Sequence, residues 1–175
     1  VAAIAGALWL GAALSTPPAP VEVCQGFAAQ LDGSWDHVRR GRVRAAIEDT
    51  KLPYAVETWV RVEAGLDDYA RRWLDAREDA CRAQQGGEQS TAILDRRVRC
   101  LDRQLGQLRA TVDQLTRADA ELVRDAVKLV QGLPSLAACS DADALMADPI
   151  PDDAALAAEV RELETALREA EIVVR

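Results

Sequence analysis

Histidine, methionine and phenylalanine occur once each in these 175 residues, and tyrosine only twice. With so few rings available, a core has to be built from Ala, Leu and Val around four tryptophans, a composition that favours helix over sheet. One histidine, His37, leaves most general-base schemes without their base, and no Ser, Cys or acid is spaced around it as a triad. It reads as a surface residue of a helix. Phosphate-cradling loops are missing too: neither G-x-G-x-x-G nor G-x-x-x-x-G-K-[ST] occurs, and Gly86-Gly87 is accounted for as a helix stop. Positive charge is never concentrated enough for phosphate neutralisation. The net charge is −8 with both signs intermixed, which argues against a nucleic-acid partner. The local exception, Arg39, Arg40, Arg42 and Arg44, reads as a solvated helix face, the other possibility being a surface for an anionic partner.

Carboxylates are plentiful, yet Asp67-Asp68, Glu78-Asp79 and Asp152-Asp153 are sequence neighbours on helices or at helix starts. There they are explained by solvation or by complementing the helix dipole. Trp59 and Trp73 lie on an apolar stripe and read as packing rather than ligand stacking. No catalytic residue, cofactor site or metal site is assigned.

The length favours one domain. The chain does not begin with Met and opens on fourteen uncharged apolar residues, Val1 to Leu14, so it reads as a fragment. A complete span needs about twenty such residues. Residues 1–14 are therefore read as the end of a truncated N-terminal transmembrane helix, the alternative being the apolar stretch of a signal peptide. Residues 15–20, Ser15-Thr16-Pro17-Pro18-Ala19-Pro20, form a semi-rigid spacer. All four cysteines, Cys24, Cys81, Cys100 and Cys139, follow the apolar run, and no two are spaced C-x-x-C. Disulfides in an oxidising compartment are the leading reading, ahead of free buried thiols and of metal ligation.

Residues 21–150 read as an extracytoplasmic helical domain. A short helix is expected over about Val21–Leu31, with Asp32-Gly33-Ser34 as its stop, and another over Asp36–Asp49. Pro53 is placed in the first turn of a long helix. Along that helix Ala55, Trp59, Val62, Leu66, Tyr69, Trp73, Ala76 and Ala80 alternate spacings of four and three, forming one stripe. Ser90 caps a second long helix whose Leu94, Val98, Leu101, Leu105, Leu108, Val112 and Leu115 repeat the spacing. Two such stripes joined by a short Gly-containing loop describe an antiparallel hairpin. The tightest register sets Trp73 against Leu101 and leaves Cys81 about 10 Å from Cys100, too far to bridge. A shift of one heptad keeps apolar facing apolar and sets Cys81 opposite Cys100. The stripes do not choose between these registers. Further on, Asp119 caps a helix to about Val130, ended by Gly132-Leu133-Pro134. Leu136–Asp141 reads as a turn and Ala142–Met146 as a brief helix. Residues 151–175 carry a last amphipathic helix along Leu156, Val160, Leu163, Leu167 and Ala170, with no evident partner for its apolar face. The fold class is thus all-α, an antiparallel helical hairpin or bundle behind the truncated membrane helix.

Several stretches together resemble a segment of bacterial membrane-bound serine/threonine protein kinases. They are Trp35 with its Arg-rich continuation, Leu52-Pro53-Tyr54-Ala55, Thr58-Trp59-Val60, Leu66-Asp67-Asp68-Tyr69 and Trp73. Ala80-Cys81, Glu88-Gln89-Ser90, Leu94-Asp95-Arg96, Cys100-Leu101, Ala118-Asp119-Ala120 and Leu136-Ala137-Ala138-Cys139 complete the pattern. The resemblance implies a cytoplasmic kinase domain upstream, one transmembrane helix, this region as an extracytoplasmic sensor or interaction segment, and tetratricopeptide repeats downstream. No H-R-D, D-F-G or kinase Gly-rich loop occurs here, so no catalytic residue carries over. The partner implied is an unknown protein or envelope ligand, with membrane contact through the N-terminal helix. A narrower stretch, Trp73-x-x-x-Arg77-x-x-x-Cys81 with Gly86-Gly87, Ser90 and Cys100-Leu101, is similar to exported lysozyme inhibitors of the LprI type. That likeness implies a Cys81–Cys100 bridge, leaves Cys24 with Cys139, and raises the alternative function of an anchored inhibitor of a cell-wall hydrolase.

Overall fold

A computed structural model describes residues 24–147 continuously, together with helical residues within 158–170. The truncated membrane helix expected at 1–14 and the spacer at 15–20 lie outside the described residues. No described helix is long and apolar enough to cross a membrane.

The described residues contain helices and no strands. Of the first expected helix, residues 21–23 lie outside the described residues, and among the described ones Phe27–Leu31 is helical, as a 3-10 turn, because Gly26 at φ 89° takes a left-handed conformation that an α-helix cannot pass through. Helix α1 spans His37–Asp49 and is capped by Asp36, whose carboxylate accepts from the Arg39 N–H. Helix α2 spans Ala55–Gln85. Pro53 sits in the turn just before it rather than within its first turn. Helix α3, Thr91–Leu115, is capped by the Ser90 hydroxyl accepting from Ile93 N–H. Helix α4, Ala120–Gln131, is capped by Asp119, which accepts from Glu121 and Leu122 N–H. A second 3-10 turn, Leu136–Cys139, leads to the short α5, Ala142–Ala147.

The α2–α3 hairpin is the spine. Gly87, at φ 73°, ends α2 in a left-handed cap: its N–H donates to Gln84 O while Glu88 N–H donates to Ala83 O. The register is the tight one. The Trp73 indole N–H donates to Leu101 O at 2.7 Å, and Arg97 pairs with Asp79 at 2.6 Å nearer the tip. Seven of the eight stripe residues on α2 are buried, Ala76 being half-buried, while on α3 burial is complete at Leu101, Leu108, Val112 and Leu115.

Helix α1 closes one side of the spine with Val43 and Ile47 fully buried. Arg40 reaches back to Asp67 on α2, and Arg39 pairs with Asp113 on α3. Trp35, just ahead of α1, donates its indole N–H to Asp67 at 2.7 Å. On another side α4 lies against α2, and the Val130 side chain packs onto Gly65. A Cβ added there would stand 2.7 Å from Val130 Cγ1, inside any tolerable contact. Fully buried Val123 and Ala126 complete that interface.

Candidate functional site

The described residues bring the chemistry-bearing side chains to the loop end of the hairpin. All four cysteines are bonded in the loop-side half of the hairpin, Cys24 to Cys81 nearer the loop and Cys100 to Cys139 nearer the middle of α3, with Cα–Cα distances of 5.6 and 5.4 Å. The Cys81–Cys100 and Cys24–Cys139 pairing implied by the lysozyme-inhibitor likeness is therefore replaced by a different one. The tight register is the physical reason: with Trp73 at the level of Leu101, Cys81 lies about two turns of helix from Cys100, beyond bridging distance. Each cysteine of the hairpin instead takes a partner from a flanking segment.

Arg97 organises the same end. Its side chain is only 8% exposed, and its guanidinium donates to Asp79 at 2.6 Å, Gln89 Oε1 at 3.0 Å and Ser140 Oγ at 3.3 Å. Gln89 Nε2 in turn donates to Ala80 O, so the loop, both hairpin helices and the turn around Cys139 share one network. Arg96 beside it donates to Leu145 O and ties α5 to α3. A buried guanidinium without this ring of acceptors would cost several kcal/mol, on the order of 3–5. The geometry is that of a fastening, because the three acceptors of the Arg97 guanidinium come from α2, the loop and the Cys139 turn, while Arg97 Nε has no hydrogen-bond partner among the described residues.

Arg77 stacks 5.5 Å from the Phe27 ring and 6.0 Å from that of Trp73, so it joins the segment after Cys24 to the spine. Partial burial pushes the Asp102 carboxyl upward, and the Arg77 charge opposes that. Tyr69, on the core stripe, is raised to about 12 by burial, against the pull of Arg72. Its hydroxyl has no hydrogen-bond partner among the described residues. Asp36 is held below the usual carboxylate range by the Arg39 and Gly33 N–H groups that donate to it.

His37 is exposed at the start of α1 and faces no assembled nucleophile. The arginine cluster is largely neutralised from within: Arg39 by Asp113, Arg40 by Asp67 and Glu63, and Arg44 by Glu48. Of the neighbouring acids, Asp67 serves Trp35 and Arg40, Asp68 pairs with Arg71 and Arg72, Glu78 with Arg82, and Asp79 with Arg97. Asp152-Asp153 lies outside the described residues. Trp59 and Trp73 are core residues at 4% and 0% exposure. A groove of about 900 Å³ between the end of α3 and the outer face of α4 is lined by Gln114, Leu122, Asp125, Lys128 and Leu129 among others, with charges of both signs.

Arg97 is the residue of this end that the sequence pattern does not single out, whereas the turn at Leu136–Asp141 and Cys139 are both legible in it. A signal for Arg97 exists: between Leu94 and Leu101 the three-four spacing admits Arg97 as readily as Val98, and the structure buries the arginine. The same ambiguity at Thr111 and Val112 is resolved by burying both. No family model matches this chain, and neither does any curated protein or solved structure.

Proposed function

We propose that this chain is a non-catalytic helical interaction module that works in an oxidising extracytoplasmic compartment, as the sensor segment of a membrane-anchored serine/threonine protein kinase. The observation that carries the reading is the pair of disulfides fastening the loop end of the bundle. Bridges of this kind persist outside the reducing cytosol. The apolar run at Val1–Leu14 supports a membrane attachment, and the scattered kinase-like pattern supplies the parent architecture. Many ionisable groups of the described body serve in capping, pairing and fastening, which suits a module that binds and transmits rather than one that reacts. The hydrolase-inhibitor alternative rests on the Trp73-to-Leu108 pattern, and the Cys81–Cys100 bridge that this likeness implies is not the one formed, since Cys81 is joined to Cys24.

A reporter fusion tests the placement. Alkaline phosphatase joined after Ala147 in the membrane-anchored chain is expected to be active, and an inactive fusion beside a fluorescent cytosolic counterpart overturns it. Reading the coding sequence on both sides of the chain tests the parentage, and the absence of an upstream kinase domain removes it.

A further inference from the structure

We infer that the Cys24–Cys81 bridge is a reducible latch that sets where the upstream chain is fastened to the bundle, whereas Cys100–Cys139 is a staple that the same reductant leaves closed. The two bridges differ in what surrounds them. Cys100 and Cys139, at 5% and 0% exposure, belong to the continuous apolar core together with Leu101, Leu136 and Leu145. Cys24, at 8% exposure, and the half-buried Cys81 stand outside that continuous cluster.

What each bridge holds differs as well. From Gln25 to Gly33 no residue is buried, and the 3-10 turn Phe27–Leu31 contributes only the half-buried Phe27 and Leu31. The next firm anchor is Ser34-Trp35, at 0% and 5% exposure, where Arg109 donates to the Ser34 hydroxyl and Trp35 to Asp67. Opening Cys24–Cys81 therefore disturbs the buried Cys24 and the Phe27–Arg77 stack, and leaves less apolar surface to be exposed than at the other bridge. Opening Cys100–Cys139 requires the Arg97 network, the Arg96–Leu145 bond and part of the core to give way. Local opening free energies follow such differences in buried contacts.

The reaction is thiol–disulfide exchange with a dithiol reductant. A reductant thiolate attacks Sγ of the more accessible Cys81, the Cys24–Cys81 bond breaks, and Cys24 leaves as a thiolate that takes a proton. The second reductant thiol then attacks the reductant sulfur of the mixed disulfide and expels Cys81 as a thiolate, which is protonated in turn. Two electrons pass to the protein and the reductant departs as its own disulfide. With the latch closed, the chain before Cys24 is joined to the body at Cys81, near the hairpin tip. With it open, the first fixed point is Trp35 beside Asp67, fourteen residues or about 21 Å back along α2. The ten residues Cys24–Gly33 become a leash of up to about 33 Å. A module attached through its upstream chain would change both its standoff and its freedom to turn.

The test is a dithiothreitol titration of the full chain under native conditions, trapped with N-ethylmaleimide and read by peptide mass. Cys24 and Cys81 are expected to be labelled at roughly ten-fold lower reductant than Cys100 and Cys139. Hydrogen exchange at that point should rise over Cys24–Gly33 while α1 to α4 keep their protection. Simultaneous or reversed reduction, or lost protection in α2 and α3 at the first step, overturns the proposal. A Cys24→Ser, Cys81→Ser double variant should fold with the same protected body, and its failure to fold overturns the proposal equally.

Discussion

Tyr69 shows what burial does to one side chain when no partner is supplied. The ring fills the α2 stripe, its hydroxyl has no hydrogen-bond partner among the described residues, and its ionisation is raised from 10.0 to about 12. A group whose folded pKa lies above its unfolded value favours the fold fully below the unfolded value, and that contribution disappears as pH climbs through the folded one. Stability is therefore expected to fall between about pH 10 and 12, seen as loss of helical circular dichroism tracking the growth of tyrosinate absorbance. Tyr69→Phe should remove that coupling and cost little or nothing near neutrality, since it deletes a buried hydroxyl without a partner among the described residues. A large loss of Tm in that variant would mean that the hydroxyl has a partner. Gly65 is the opposite case, a residue needed for what it does not have. Gly65→Ala is expected to destabilise by about 1–3 kcal/mol in urea unfolding as α4 is pushed from α2. An unchanged midpoint would mean that Val130 rotates away freely. Sequence reading passed over Gly65, because a glycine inside a helix reports a close neighbour only once the neighbour is known.

Helix starts were legible because capping is local chemistry. Asp36, Ser90 and Asp119 precede apolar periodic runs and each accepts backbone N–H groups two or three residues on. Asp119→Ala should cost about 1 kcal/mol, measured as a lower urea midpoint with unchanged slope. Asp36 adds a pH dependence of the opposite sign to that of Tyr69. Its folded carboxyl is depressed by the Arg39 and Gly33 N–H groups, so its contribution is present above the ordinary value of 3.8 and is lost as pH falls through the lower folded value. Acid titration should show this as a loss of α1 protection in hydrogen exchange, and Asp36→Asn should flatten it. The first segment was misread as continuous helix because Val21–Leu31 has helical composition, whereas Gly26 adopts a positive φ that composition does not announce. Pro53 was displaced by two positions for a similar reason, as proline is equally at home in the turn that precedes a helix.

The hairpin could be drawn at the scale of the molecule from two stripes alone, yet the stripes fitted two registers equally well. Contacts of particular atoms chose between them: the Trp73 indole on Leu101 O, and Arg97 among Asp79, Gln89 and Ser140. That choice also decided the disulfides, because the tight register separates Cys81 from Cys100 and hands each to a flanking segment. Removing the core bridge with Cys100→Ala and Cys139→Ala is expected to cost about 2–5 kcal/mol of stability, read by denaturant unfolding, and a cost near zero would show that the Arg97 network holds the turn unaided. The last amphipathic helix keeps Leu163 and Leu167 exposed, at 58% and 63%. By itself the sequence determined the all-helical class, the two long helices, the caps at Ser90 and Asp119 and the placement of the cysteines after an apolar run, because periodicity, capping and composition act over one to a few turns. Only the tertiary structure decided the register, the cysteine partners, the burial of Arg97 and the close approach at Gly65. These depend on which residues meet from distant parts of the chain, and a repeating apolar pattern is satisfied by more than one such meeting.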